Sequence, residues 1–391
     1  MNTMSTRDRA SDPHTGATAP PVRCLVLNVD VGAGHRLAAQ ALREGIEAAR
    51  PGSRFEIVEA LDYLGPGAKK ITQDLYLGVQ RSTPDLWGLL YEQRALLKLF
   101  RPLSELVDSF RAEELLPRAL RFNPQLVIAT HPVACGLGAA LRRGRELAAP
   151  LVAVVTDFDG HPAWVVKGVD LYLAPTPEVA RQLEQSGAAS GSVAATGIPL
   201  RAAFCELPAA AEARRQIGID PGRFTILLLG GGLGLGPVLQ TAEALTSLQG
   251  PLQLVLVAGR NEQLQREAEA LAARAGAPLH VRGYVERMVD YIAAADVAVS
   301  KPGGVTCAEL MAVGVPLIAL CPLAGQEEAN CAALVGRGAA VRADDADGAH
   351  AALVGLLHQP NSLANMRLAA LRIGAPTSGR AAARAVLALL N

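Results

Sequence analysis

A chain of 391 residues that is half hydrophobic, only 4% aromatic, and balanced at 37 basic against 37 acidic residues has room for two or three domains with small aliphatic cores. A formal net charge of zero speaks against a nucleic-acid binder, which would show a basic excess. It confines any affinity for an anionic membrane to a local patch. The six cysteines (Cys24, Cys135, Cys205, Cys307, Cys321 and Cys331) form no Cys-x-x-Cys pair and show no zinc-ligand spacing. They read as buried, reduced thiols.

Residues 1–21 are rich in Ser, Thr, Pro, Ala and charge without an apolar core, which predicts a disordered tail rather than a secretory signal. No run of about 18 apolar residues marks a spanning helix. Val22 to Val29 is the natural first strand. It leads into a loop with Gly32 and Gly34, then His35 and a helix with apolar positions at Leu37, Ala38, Ala41, Leu42, Ile46 and Ala49. Strand, glycine loop and helix open a doubly wound domain, and the carboxyl edge of its sheet is where ligands bind. His35 at that edge and at a helix N-terminus reads either as a neutral proton acceptor or as a histidine bonding to a loop carbonyl. Arg54 to Glu59 is the second strand.

Leu61 to Phe122 reads as a long helical stretch that interleaves Lys69, Lys70, Arg81, Arg94, Lys98 and Arg101 with Tyr76, Trp87, Tyr91 and Phe100. Such helices pack on their own sheet or lie on an anionic bilayer surface. Three further strands end at Thr130-His131-Pro132, at Asp157 and at Ala174. Their ends bring His131, Asp157, His161 and Trp164 toward His35. An aspartate near a histidine reads as a catalytic dyad, a metal ligand or a turn cap. The Gly and Pro of Thr196-Gly197-Ile198-Pro199 place a domain boundary near Pro199.

The second half repeats the opening. Phe224 to Leu229 is an apolar strand, and it ends in the glycine loop Gly230 to Gly236, which includes Gly231 and Gly232. Glycines there let backbone amides approach a ligand. A strand ending before Arg260 and another ending before Tyr284 and Val285 follow. Then comes an apolar run closing in Ser300-Lys301-Pro302-Gly303-Gly304-Val305-Thr306 and a helix carrying Glu309. A glycine turn at a helix N-terminus reads either as a place to hold a phosphate or as an ordinary strand-helix turn of an α/β domain. Gln326, Glu327 and Asn330 at the next helix start suit either a sugar's hydroxyls or helix capping. The rest of the chain reads as helical, ending in an amphipathic helix from Ser378 to Leu390.

Taken in order, Gly-Ala-Gly-His, Val-Thr-Asp-Phe-Asp-Gly-His-Pro-x-Trp, Gly-Ile-Pro-Leu-Arg, Gly-Gly-Gly-Leu-Gly-Leu-Gly, Ser-Lys-Pro-Gly-Gly-Val-Thr-x-x-Glu and Ala-Gly-Gln-Glu-x-x-Asn resemble the diacylglycerol glycosyltransferases. That family comprises monogalactosyldiacylglycerol synthases and processive bacterial diacylglycerol glucosyltransferases, and is more distantly similar to muramyl-pentapeptide N-acetylglucosaminyltransferases. The resemblance runs from about Val22 to Val341. It implies an α/β GT-B fold, two Rossmann-like doubly wound domains facing across a cleft. An acceptor domain over 22–198, a donor domain over 199–375 and a C-terminal helix over 376–391 are expected.

The resemblance further implies an inverting transfer of glucose or galactose from UDP-glucose or UDP-galactose to diacylglycerol. No cofactor and no metal are expected, and the enzyme would sit on the anionic inner face of the cell membrane, cytoplasmic and peripheral. His35 matches the acceptor base, with Gly32, Gly34, His131, Asp157, His161 and Trp164 on the acceptor side. Gly303, Gly304, Val305 and Thr306 match the diphosphate turn, and Gly231, Gly232 and Arg260 fall on the same side. Glu309 matches the ribose ligand, Tyr284 and Val285 meet the uracil, and Gln326, Glu327 and Asn330 match the donor-sugar set. Two alternatives stand beside this reading. One is a UDP-N-acetylglucosamine enzyme of the same fold, a transferase to a lipid-linked acceptor or a 2-epimerase. The other is a non-catalytic subunit that binds nucleotide sugar and docks on a membrane.

Overall fold

The computed structural model describes residues 20–29, 33–65, 110–231 and 236–390. Most of the expected tail, Gly32, Gly232 and the basic-aromatic stretch 66–109 lie outside them. The first unit holds β1 (Arg23–Asn28), α1 (Gly34–Ala49), β2 (Arg54–Glu59), α2 (Ala112–Phe122), β3 (Leu126–Ala129), α3 (Pro132–Arg142), β4 (Leu151–Val154), β5 (Leu171–Ala174), α4 (Pro177–Gln185) and β6 (Val193–Ala195). Its strands form one parallel sheet in the order β2-β1-β3-β4-β5-β6.

The second unit holds α5 (Ala210–Gln216), β7 (Phe224–Leu229), α6 (Val238–Thr246), β8 (Leu252–Val257), α7 (Glu262–Ala272), β9 (Leu279–Arg282), α8 (Met288–Ala294), β10 (Val297–Ser300) and α9 (Gly304–Val313). It continues with β11 (Leu317–Leu320), α10 (Gln326–Gly336), β12 (Ala340–Ala343), α11 (Ala346–His358), α12 (Pro360–Ile373) and α13 (Ser378–Leu387). Its parallel sheet runs β12-β11-β10-β7-β8-β9. These are the two Rossmann-like doubly wound domains that the glycine loops announced.

Helices cover both faces of each sheet, so the inner strands read as unbroken apolar runs. Every residue of β3, β4, β8, β10 and β11 is buried. Two expectations need correction. The C-terminal region is not wholly helical, because β12 adds an edge strand to the second sheet. Just before the boundary at Pro199, an edge strand that the sequence did not announce, β6, completes the first sheet. Both are short and partly exposed, and neither has the apolar run that betrays an inner strand. Of the long helical stretch, the described parts are a 3-10 turn over Ala60–Tyr63 and helix α2.

The apolar layers of the two domains merge. Leu42, Ile46 and Val154 of the first belong to one buried cluster with Leu227, Leu310 and Leu317 of the second. Helix α13 crosses back and adds Ala382, Ala383 and Val386 to it. It packs on α1, where a methyl group on Gly45 would lie 2.5 Å from the carbonyl oxygen of Gly379. Ser378 Oγ accepts the amide of Leu200 at 3.1 Å, so the two crossings between domains run side by side. Glu44 on α1 adds an ion pair with Arg201 at 3.0 Å and accepts the amide of Ala202 at 3.1 Å. No helix of the described residues is long and apolar enough to cross a membrane.

The close approach of α1 and α13 predicts that Gly45→Ala forces the helices apart. The expected loss is about 1–3 kcal/mol, read as a lower urea midpoint with unchanged slope. An unshifted midpoint would contradict the packing.

Candidate active site

In an open parallel sheet, ligands bind where the strand order reverses. In the first domain that point lies between β1 and β3. Asn28 ends β1, and Thr130 follows β3; both are buried, and the Thr130 hydroxyl donates to Asn28 Oδ1 at 3.2 Å. His35, in the first turn of α1, sits above them. Its Nδ1 lies 2.6 Å from the carbonyl oxygen of Thr130. A carbonyl only accepts, so Nδ1 carries the proton and Nε2 keeps its lone pair. The Thr156 hydroxyl is 3.3 Å from the same Nδ1.

The ring of His131 meets that of His35 edge to face, with centroids 4.9 Å apart. His131 caps α3, accepting the Val133 amide on its own Nδ1 at 3.1 Å. Burial pushes the His35 imidazole from its ordinary 6.5 down to about 4, against the pull of the Thr130 carbonyl. Burial, with the neighbouring His35, also holds His131 well below its ordinary value. Both rings are therefore neutral at physiological pH.

Asp157 does not join His35, and the aspartate–histidine dyad that the sequence allowed is not formed. One Asp157 oxygen accepts the Trp164 indole N–H at 2.7 Å, and the other accepts Gln326 Nε2 from the second domain. Burial raises its carboxyl to about 6, opposed by these two hydrogen bonds. His161 caps the short 3-10 turn Pro162–Trp164, accepting the Ala163 amide at 3.2 Å.

In the second domain the order reverses between β7 and β10. The glycine loop leaves β7 there, with Gly231 at φ +67°. β10 leads through Lys301 and Pro302 to Gly303, the N-cap of α9. The first amides of α9 have no partner within their own helix and form a site for an anion. Val305 and Thr306 stand in this first turn. A methyl group on Gly34 would lie 3.6 Å from Val305 Cγ2, so the starts of α1 and α9 abut across the domains. Glu309, part-buried one turn on, has its carboxyl raised to about 8 by burial, with Arg201 pulling the other way.

At the outer rim the Arg260 guanidinium stacks on the exposed ring of Tyr284 at 5.1 Å. Val285 beside it is part-buried against the shared core. Glu327 accepts the Leu323 amide at 2.9 Å, and burial raises its carboxyl too. Asn330 is fully buried. Its Nδ2 donates to the Pro302 carbonyl at 3.0 Å, and its Oδ1 accepts the Phe158 amide at 2.7 Å. Thr130 and Thr156, which meet His35 Nδ1, were not among the site residues expected from the sequence. Thr130 and Thr156 carried a usable signal, a polar residue at the end of an apolar strand beside the histidine rim.

Residues 35–200 match the family described as monogalactosyldiacylglycerol (MGDG) synthase. Residues 225–371 match the glycosyltransferase family 28 C-terminal domain. A processive diacylglycerol beta-glucosyltransferase of Bacillus subtilis is 32% identical over 332 residues, covering 82% of each chain. The chain belongs to the diacylglycerol glycosyltransferase family. A probable chloroplastic monogalactosyldiacylglycerol synthase 2 of Oryza sativa subsp. japonica is 28% identical over 341 residues, 84% of this chain and 72% of that one. Among solved structures, MurG of Acinetobacter baumannii superposes with a TM-score of 0.61 at 17% identity, over 94% of this chain and all of the other. The fold is thus GT-B, two Rossmann-like domains with the family's motifs on facing rims.

The burial of His35 predicts a histidine resonance that titrates near pH 4, measured by proton–nitrogen NMR on the ligand-free protein. Above that pH the ring stays neutral, with its proton on Nδ1. A midpoint near 6.5 would contradict the burial argument.

Proposed function

We propose that this enzyme moves glucose or galactose from a UDP-sugar to the free hydroxyl of diacylglycerol, with inversion at the anomeric carbon. The observation that carries the reading is the neutral imidazole of His35, its Nε2 lone pair available, set on one domain against the anion-binding start of α9 on the other. Nε2 accepts the hydroxyl proton as the oxygen attacks the anomeric carbon. The bond from that carbon to the diphosphate breaks, and its electron pair leaves on UDP. The amides of Gly304, Val305 and Thr306 and the dipole of α9 stabilise the departing charge. The same charge raises the proton affinity of the buried His35 ring as the reaction proceeds.

In this reading Glu309 binds the ribose hydroxyls, Tyr284 with the Arg260 stacked on it meets the uracil, and Gln326 and Glu327 bind the sugar. A 2-epimerase would need free catalytic carboxylates in the cleft, and Asp157 is the candidate on the acceptor rim. Its two oxygens are instead engaged by Trp164 and Gln326, which favours the transferase. The acceptor is a membrane lipid, so the reading includes peripheral attachment to the anionic inner face of the cell membrane. The basic and aromatic side chains between 66 and 109 have the composition for it.

Labelled UDP-glucose and UDP-galactose incubated with diacylglycerol vesicles test the reading. A lipid-soluble labelled product from at least one donor is expected, and none from either would overturn it. In the same assay His35→Ala should lower turnover by about 10²–10⁴-fold while UDP affinity changes little. Loss of UDP binding would move His35 from base to donor ligand.

A further inference from the structure

Gly303 and Gly304 are neighbours at the start of α9, yet their surroundings differ sharply. A methyl group added at Gly303 meets nothing within 4 Å. One added at Gly304 would lie 1.7 Å from the backbone carbonyl oxygen of Thr156, in the other domain. No side-chain rotation relieves that contact, because its far side is backbone. The Thr156 hydroxyl in turn lies 3.3 Å from Nδ1 of His35. Beside it, Asn330 spends both ends of its amide on the same junction. It ties the Pro302 carbonyl of the donor turn to the Phe158 amide of the acceptor rim. A fully buried amide with donor and acceptor both engaged is a fixed strut.

We propose that Gly304 and Asn330 are positioning residues. They lock the donor turn against the segment Thr156–Phe158 and so set the distance from His35 to the donor's anomeric carbon. Gly303, by contrast, keeps the space that the diphosphate enters. The resemblance groups both glycines with the diphosphate and Asn330 with the sugar; the geometry gives the missing side chain of Gly304 to the contact with Thr156, while its amide, which an alanine keeps, still faces the donor. This inference rests on the transferase reading for its kinetic consequence, but not for its structural one.

The test compares Gly303→Ala, Gly304→Ala and Asn330→Ala in the full chain. Three quantities are read: UDP affinity by calorimetry, the split between kcat and KM for the UDP-sugar, and the radius of gyration of the UDP complex by small-angle scattering. Gly304→Ala and Asn330→Ala should keep UDP affinity within a few fold and lower kcat by about a hundredfold, the cost of a misplacement of about 1 Å. Gly304→Ala should also give an expanded UDP complex. Gly303→Ala, whose methyl would fill the space kept for the diphosphate, should weaken UDP about tenfold or more, the scale of a displaced hydrogen bond to a charged group, and leave the UDP-saturated radius unchanged.

A raised KM with unchanged kcat in Asn330→Ala would make that residue a sugar ligand and overturn its role as a strut. A Gly304→Ala protein that matches Gly303→Ala in UDP affinity and radius would overturn the division between the glycines. If Gly304→Ala does not fold, Asn330→Ala carries the decision alone. Inactivity of the wild type on every donor would defeat the transferase reading, while affinity and scattering would still decide the positioning roles.

Discussion

The Thr156 carbonyl oxygen pressed against Gly304 is the contact on which the rest of the site depends. It brings the start of α9 to the start of α1, two helix N-termini that face one another across the domain gap. One carries the neutral His35 imidazole, and the other presents amides with no partner in their own helix. Neither sheet alone builds such a place. The merged apolar layer and the returning helix α13 hold the domains at this separation. Asn330 and Gln326 reach over from α10 to fix the sideways register.

The electrostatics of the junction have one theme. Burial drives His35 and His131 toward the neutral imidazole and drives Asp157, Glu309 and Glu327 toward the protonated acid. For the proposed reaction, a carboxyl held protonated, as burial favours for Glu309, would repel a diphosphate less than a carboxylate. Oriented helix amides need no reorganisation when charge develops. The dipole at the start of α9 is set there by the fold, whatever the pH.

Much of this was legible in the sequence. Inner parallel strands are apolar on both faces, so Phe224 to Leu229 and the runs before Thr130 and Lys301 announced themselves. The glycine loops and His35 followed from strand–loop–helix order. The edge strands β6 and β12 escaped because half-exposed Ala, Val and Arg carry no such pattern. The site's interior escaped for a different reason. His35 is held by the carbonyl of Thr130, and Asn330 by a carbonyl and an amide, one of them 172 residues away. Backbone groups exist at every position, so no residue type marks them. The same holds for Gly304, whose sequence neighbour Gly303 looks identical until the opposing domain is in place.

The central claim is that a base on one domain serves a donor held by the other. A crystal structure of the enzyme with UDP and a short-chain diacylglycerol tests it most directly. The account predicts the diphosphate on the first amides of α9, and the lipid hydroxyl within hydrogen-bond reach of His35 Nε2, about 2.6–3.2 Å. A hydroxyl bound to Asp157 instead, or a diphosphate bound away from α9, would contradict it.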